Sequence, residues 1–263
     1  MSGERISVAE RARAVGITLI VPVAAVVIWW FASADNTSPF YPSLETIAEN
    51  FRENWLFARF SSDVVPSLTR FFFGYVIAVA AGIGFGVLLG RNRTWNLAFQ
   101  PTVQFLRSIS PTGLVPLTIA LLGLGNAPKI ALIAFVSLFP VLLNTIDGVR
   151  SIQPGLEDVG RSFRLTRRQR VFSIQLPSAA PQIFVGMRLA LAYAFIMMVL
   201  TELIGATDGI GFVTLNAQQS FQVPLLWSGM LLLGILGALL NGAFVLVERR
   251  VLRWHYQSTK RAR

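Results

Sequence analysis

The chain has 263 residues, of which 54% are hydrophobic and only 14% charged; ordinary soluble domains carry about 25% charged residues, so a water-solvated globule is excluded. Its net charge of +10 points first to nucleic acid, but the basic residues form short clusters between apolar runs, the pattern of cytoplasmic loops in a multi-span membrane protein. There is no cysteine, which removes disulfides and thiol chemistry, and the single histidine, His255, lies in a basic tail where it is a poor ligand or base.

In chain order, a basic tail (1–14, with Arg5, Arg11 and Arg13) precedes a first predicted span at 15–33. That run ends in Ile-Trp-Trp-Phe, an interfacial anchor, rather than in the small residues of a cleavage site. Residues 34–65 carry five acids against two arginines. The second span, 66–90, holds Gly82, Gly86 and Gly90 at every fourth position, a small-residue stripe that lets helices approach closely, and Arg91 and Arg93 follow it. The third span, 98–123, contains Ser110-Pro111 and then Pro116. Each proline removes a backbone donor, and in lipid such breaks persist only where protein or a watery cavity satisfies the freed carbonyls. A broken helix beside a pathway is the expectation. A fourth span follows at 128–149.

After a cytoplasmic loop at 150–177, a fifth span is expected at 178–206. The stretch from Gly205 to Pro224 opens on a Thr207-Asp208-Gly209 turn signal and is too polar to cross; Phe212 to Phe221 reads as a short helix, either re-entrant or lying on the surface. The last span, 224–247, runs into a basic tail at 248–263. With six spans, all the arginine-rich segments fall on one side, which by the positive-inside rule is the cytoplasm. The expected fold class is thus an all-α membrane protein with six transmembrane helices and both termini cytoplasmic.

Ionisable residues within spans are expensive and are functional candidates by default. Arg70 and Glu202 both lie toward the outer side and are expected to pair, as a gate or as structural glue. Arg107 enters the third span and Arg188 the fifth. With Pro111 and Pro116 these four residues are the candidates for a pathway or gate. Arginines facing a cavity suit an anionic solute, because a guanidinium matches sulfonate, nitrate or carboxylate geometry.

The most informative segment is Leu-Glu-Asp-Val-Gly-Arg-Ser-Phe-Arg-Leu-Thr-Arg-Arg-Gln-Arg-Val-Phe-Ser-Ile-Gln-Leu-Pro (156–177). Thr166 is a natural N-cap, and the segment mixes apolar positions 171, 172, 174 and 176 with arginines. Such an amphipathic element lies on lipid or inserts into a partner's groove. It resembles the cytoplasmic loop of ATP-binding-cassette importer permeases, whose pattern runs Glu-Ala-Ala, then Gly, then Ile-x-Leu-Pro. Ile174, Leu176 and Pro177 match the end of that pattern; Asp158, Val159 and Gly160 occupy the Glu-Ala-Ala positions, with Glu157 adjacent. Arg164 stands where the family has Gly. Glycine would relax a left-handed turn there, so Arg164 leaves the shape of that turn open. Further stretches are similar to permeases of the nitrate/sulfonate/taurine importer type: Pro66 to Arg70, Ser110 to Leu117, Gly123 to Ile130, Pro181 to Leu191, and Thr201 to Phe212. Together they cover most of the chain from about residue 60.

The resemblance implies a type I importer permease. Two permease copies would form the pathway, two cytosolic ATPase subunits would supply ATP and Mg chemistry, and a soluble binding protein would deliver solute across a bacterial inner membrane. The coupling contacts would come from Glu157, Asp158, Gly160, Arg164, Thr166, Arg167, Arg168, Ile174, Leu176 and Pro177. The chain itself would be no enzyme and bind no cofactor: Gly84 to Arg91 is glycine-rich but lacks the Gly-Lys-Ser/Thr ending of a phosphate-binding loop. A stand-alone secondary transporter or channel is the rival class, and a vitamin precursor or aromatic acid the rival cargo. An intramembrane enzyme finds no His/Asp/Glu cluster or Ser/Lys dyad to support it.

Overall fold

The computed structural model describes residues 40–152, 155 and 162–254, with 20, 24, 27–30 and 33 of the first apolar run. The N-terminal tail, most of the expected first span, the positions of Glu157, Asp158 and Gly160, and the tail beyond residue 254 lie outside the described residues.

All regular elements among the described residues are helical. A short helix α1 (Leu44–Asn50), N-capped by Ser43, runs through π-helical turns at Phe51–Ala58 and Phe60–Val64 into α2 (Val65–Arg91). Then come α3 (Arg93–Ser108), α4 (Pro111–Leu122), α5 (Asn126–Arg150), a single turn α6 (Arg167–Arg170), α7 (Leu176–Gly205), α8 (Ile210–Gln219) and α9 (Val223–Val251). Four helical stretches are long and apolar enough to cross a membrane: Phe60–Arg91, Asn126–Arg150, Arg168–Gly205 and Val223–Val251. They fall on the expected spans 66–90, 128–149, 178–206 and 224–247.

The expected third span, 98–123, is not one straight helix. It divides into α3 and α4, which meet at 92°. Pro111 forces the preceding Ser110 into an extended conformation (ψ 120°), as a residue before proline prefers, and Ile109 is extended too (ψ 130°). At 1.5 Å per residue, α3 and α4 are about 24 and 18 Å long, each short of a hydrocarbon core of about 30 Å.

The centre of the molecule is α5 packed against both α2 and α7, which also meet each other through Ser67–Glu202, Arg70–Glu202 and Tyr75–Met187 hydrogen bonds. The glycine stripe of α2 makes its packing on α5 possible. A Cβ on Gly82 would lie 2.7 Å from Cβ of Val141, and one on Gly86 2.5 Å from Cβ of Thr145, so the stripe serves internal packing. Gly186 of α7 lets that helix approach the Pro140 carbonyl of α5 in the same way. Phe71, Leu132, Ile133, Ala194, Met197 and Met198 fill the space between the three helices. The acidic segment before α2 is more than a tether: the Trp55 indole N–H donates to Ser228 Oγ of α9 at 3.0 Å, and Trp55 packs with Ile210, Val213 and Leu225. That cluster also seats α8 against α9 and leaves its Ile210–Ala217 face buried. Trp29 meets Trp227 edge-on at 4.6 Å, tying the first apolar run to α9.

Candidate gate cluster, pathway cavity and coupling segment

Arg70 and Glu202 are drawn together at one end of the core by α2 and α7. Arg70 is 2% exposed and Glu202 fully buried, and Nη1 of the arginine donates to Oε1 of the glutamate at 2.9 Å. The rest of the guanidinium is also used. Nη2 donates to both carboxylate oxygens of Asp208 at 2.7 Å, and Nε donates to Asn126 Oδ1 at 2.6 Å. The Ser67 hydroxyl lies 2.7 Å from Oε1 of Glu202 and accepts the Ile210 N–H at 3.0 Å. The backbone N–H groups that open α8 finish the arrangement: Gly209 donates to Asp63 Oδ1 and Gly211 to Glu202 Oε2, each at 3.0 Å. Carboxylates at a helix N-terminus satisfy orphan donors and meet the positive end of its dipole.

Glu202 and Asp208 therefore pair with Arg70 and act on Lys129, which is buried on the first turn of α5, while Asp63 has Arg59 at 3.7 Å. A charge this deeply buried is tolerable only when paired and hydrogen-bonded. Gly209, at φ +114°, packs against Glu202 so closely that a Cβ would sit 2.5 Å from its carboxyl carbon. Sequence reading found Arg70 and Glu202 but not Asp63, Ser67, Asn126, Lys129 or Asp208. One signal was available: Asp63, Ser67 and Arg70 follow at i, i+4 and i+7, one face of a helix.

Arg107 and Pro111 belong elsewhere. They line a cavity of about 560 Å³ at the α3–α4 elbow, closed by α5 and α7, whose wall is mainly Phe135, Phe139, Leu143 and Leu189 with Asn144 and Tyr193 as polar points. Arg107 is exposed. Pro116 and Arg188 are also exposed, outside both this lining and the polar cluster.

The described part of the coupling segment begins at residue 162. Arg164 has φ +50°, so the turn is left-handed at the position where the resembling family has glycine. Thr166 and Gln169 form a reciprocal cap. Gln169 N donates to Thr166 Oγ1 at 3.3 Å and Thr166 N donates to Gln169 Oε1 at 2.9 Å, the capping-box geometry that starts a helix. From Arg167 the chain runs through α6 and a π-helical turn (Val171–Gln175) directly into α7, with Pro177 in its first turn, so this half of the loop extends the span. Leu176 packs beside Val149, Ala179 and Ile183, and Ile174 is half-buried. Phe163 (76% exposed) and Phe172 project outward, with the Arg168 guanidinium 6.0 Å from the Phe172 ring centre.

Residues 82–253 match the family described as binding-protein-dependent transport system inner membrane component. The chain is similar to a putative aliphatic sulfonates transport permease protein of Bacillus subtilis (29% identical; 90% of this chain and 86% of that protein). It is also similar to the taurine transport system permease protein of Escherichia coli K12 (28%; 91% and 90%) and to a bicarbonate transport system permease protein of Synechococcus elongatus (32%; 72% and 68%). Its fold resembles a methionine ABC transporter solved in inward-facing conformations, with a TM-score of 0.64 at 20% identity over 72% of this chain and 94% of that one. With that family model spanning its core helices, the chain belongs to the binding-protein-dependent ABC importer permeases.

Proposed function

We propose that this chain is the membrane-spanning subunit of a bacterial inner-membrane importer that carries a small anionic solute, of the sulfonate, taurine or nitrate kind, inward by alternating access. In this reading the chain crosses the bilayer six times with both termini cytoplasmic and pairs with a second permease copy. Two ATPase subunits bind below and a solute-binding protein docks outside. The ATPases hydrolyse ATP with Mg; the chain supplies the route and the lever.

The observation that carries the reading is the coupling segment. A capped helix that leaves a left-handed turn, continues into α7 and presents Arg168 and Phe172 to the exterior, with Phe163 exposed just before the turn, suits insertion into a partner's groove. A push on it would be passed along the rigid α7 to Glu202, 30 residues of helix being one body, and rigid-body rocking of helices around a cavity is how such transporters alternate. Arg107 on the elbow cavity is the candidate contact for an anion, while the Arg70 cluster is the candidate outer latch.

The test is purification of the tagged chain from its native membrane, followed by uptake of radiolabelled taurine, ethanesulfonate, nitrate and bicarbonate into proteoliposomes. The reading expects an ATP-binding subunit in equal amount and ATP-dependent uptake of at least one anion. A chain purified alone that moves solute without ATP would instead be the secondary transporter.

A further inference from the structure

Helix α3 carries a pattern that neither the coupling segment nor the polar cluster uses. Arg93, Asn96, Gln100, Gln104 and Arg107 fall within roughly an 80° arc at 100° per residue. Trp95 and Phe99 point to the other side, where they line a wholly apolar pocket with Phe85 and Leu88 of α2. Every member of the polar stripe lines a cavity between α3 and α5. Arg107 lies on the 560 Å³ elbow cavity; Asn96, Gln100 and Gln104 line a narrow one of about 100 Å³; Arg93, Asn96 and Gln100 line a third of about 520 Å³. The cavities adjoin one another along α3: Leu143 lines both the first and the second, and Asn96, Gln100 and Arg150 line both the second and the third.

The charges along this line are asymmetric. Arg107 stands at one end and Arg91, Arg93 and Arg150 at the other, with Asp147 beside the narrow part. Arg150 is anchored: the Asn96 amide oxygen, turned toward it, accepts from both terminal nitrogens at 2.9 and 3.0 Å. Between the arginines, the two glutamines can donate to an oxyanion without binding it as tightly as a charge would.

We propose that the polar face of α3 is the wall of the inner half of the solute route. An anion released from the elbow at Arg107 moves past Gln104 and Gln100 to the Arg150, Arg93 and Arg91 end, and the narrow cavity beside Asp147 is the constriction. This rests on the anionic-cargo reading above and assigns that cargo a path.

The natural absence of cysteine makes the test direct. Gln100→Cys and Gln104→Cys (both exposed side chains) and the controls Trp95→Cys and Phe99→Cys are labelled in the assembled complex. The probes are the sulfonatoethyl, trimethylammonioethyl and uncharged methyl methanethiosulfonates. A cleft lined by one sign of charge raises the local counter-ion concentration tenfold or more, and a thiol in apolar surroundings stays protonated and inert. The expected result is that both stripe positions react at least tenfold faster with the anionic reagent than with the cationic one, while positions 95 and 99 react with neither. Adding Arg93→Gln and Arg107→Gln should lower that ratio, with Arg91 and Arg150 left to hold part of it. The proposal is overturned by equal labelling of the two faces, by a preference for the cation, or by protection of positions 100 and 104 from the uncharged reagent, which would mean a second copy covers the stripe. Labelling needs no cargo, so the two readings can fail separately. ATP-driven anion uptake without the charge preference removes only the track, and the preference without ATP-driven uptake removes only the importer assignment.

Discussion

The two ends of this molecule use arginine in opposite ways. In the cluster around Glu202, the Arg70 guanidinium is buried and all three of its nitrogens donate, to oxygens of Asn126, Glu202 and Asp208. Along α3 and in the coupling segment, Arg93, Arg107 and Arg168 are exposed and stand on cavities or project outward. A buried and fully paired charge fixes geometry, and removing its partner is punished in stability. An exposed charge on a cavity wall contributes little to folding and is available to a ligand or partner.

The comparison is broken most severely at Glu202. Glu202→Ala strands Arg70 without one partner and leaves the Gly211 N–H unsatisfied; breaking a buried pair in this way costs about 3–5 kcal/mol. Thermal unfolding in detergent should show a loss of that size, and a loss below about 1 kcal/mol would mean that the cluster does not hold the fold. The glycine stripe is next. Gly82→Val drives a side chain into Val141 and should cost about 1–3 kcal/mol by overpacking, whereas Gly84→Ala, which meets nothing within 4 Å, should be neutral or gain up to about 1 kcal/mol of helix propensity. Equal effects at both positions in the same unfolding assay would refute the packing role.

Arg164→Gly relieves a left-handed non-glycine residue and should stabilise the segment by about 1 kcal/mol, read as slower proteolysis within residues 160–170. Faster cleavage there would show that the turn is held by the arginine side chain itself. The smallest stability effect belongs to Arg107→Gln, within about 0.5 kcal/mol as for most exposed substitutions. Its anion uptake should nevertheless fall. Unchanged uptake would remove Arg107 from the pathway.

What could be read before the fold was known follows the same division. The long apolar runs announce themselves because a crossing helix needs about 20 such residues, and Arg70 and Glu202 stand out because a lone charge there is costly. Asp208 does not stand out: it lies in a turn, and its partner is 138 residues away. The prolines at 111 and 116 reveal that the third span breaks, but not that α3 and α4 diverge by 92°, since the direction after a break is set by tertiary packing. The burial of Trp55 and Asp63 in an acidic, polar segment was equally hidden, depending on Ser228 and Gly209 from distant helices. The turn at Arg164 was left open by the resemblance, because a non-glycine residue stands where the family has glycine, and the structure gives it φ +50°.

Residues 164–170 are proposed to transmit work from an ATPase to these helices. This role is tested by measuring binding-protein-stimulated ATP hydrolysis in proteoliposomes, for the intact complex and for the complex lacking residues 164–170. Coupling through this segment predicts that the deleted chain still inserts, while stimulation falls to the unstimulated rate or the ATPase no longer co-purifies. Stimulated hydrolysis at the intact level, with the ATPase still bound, would contradict it.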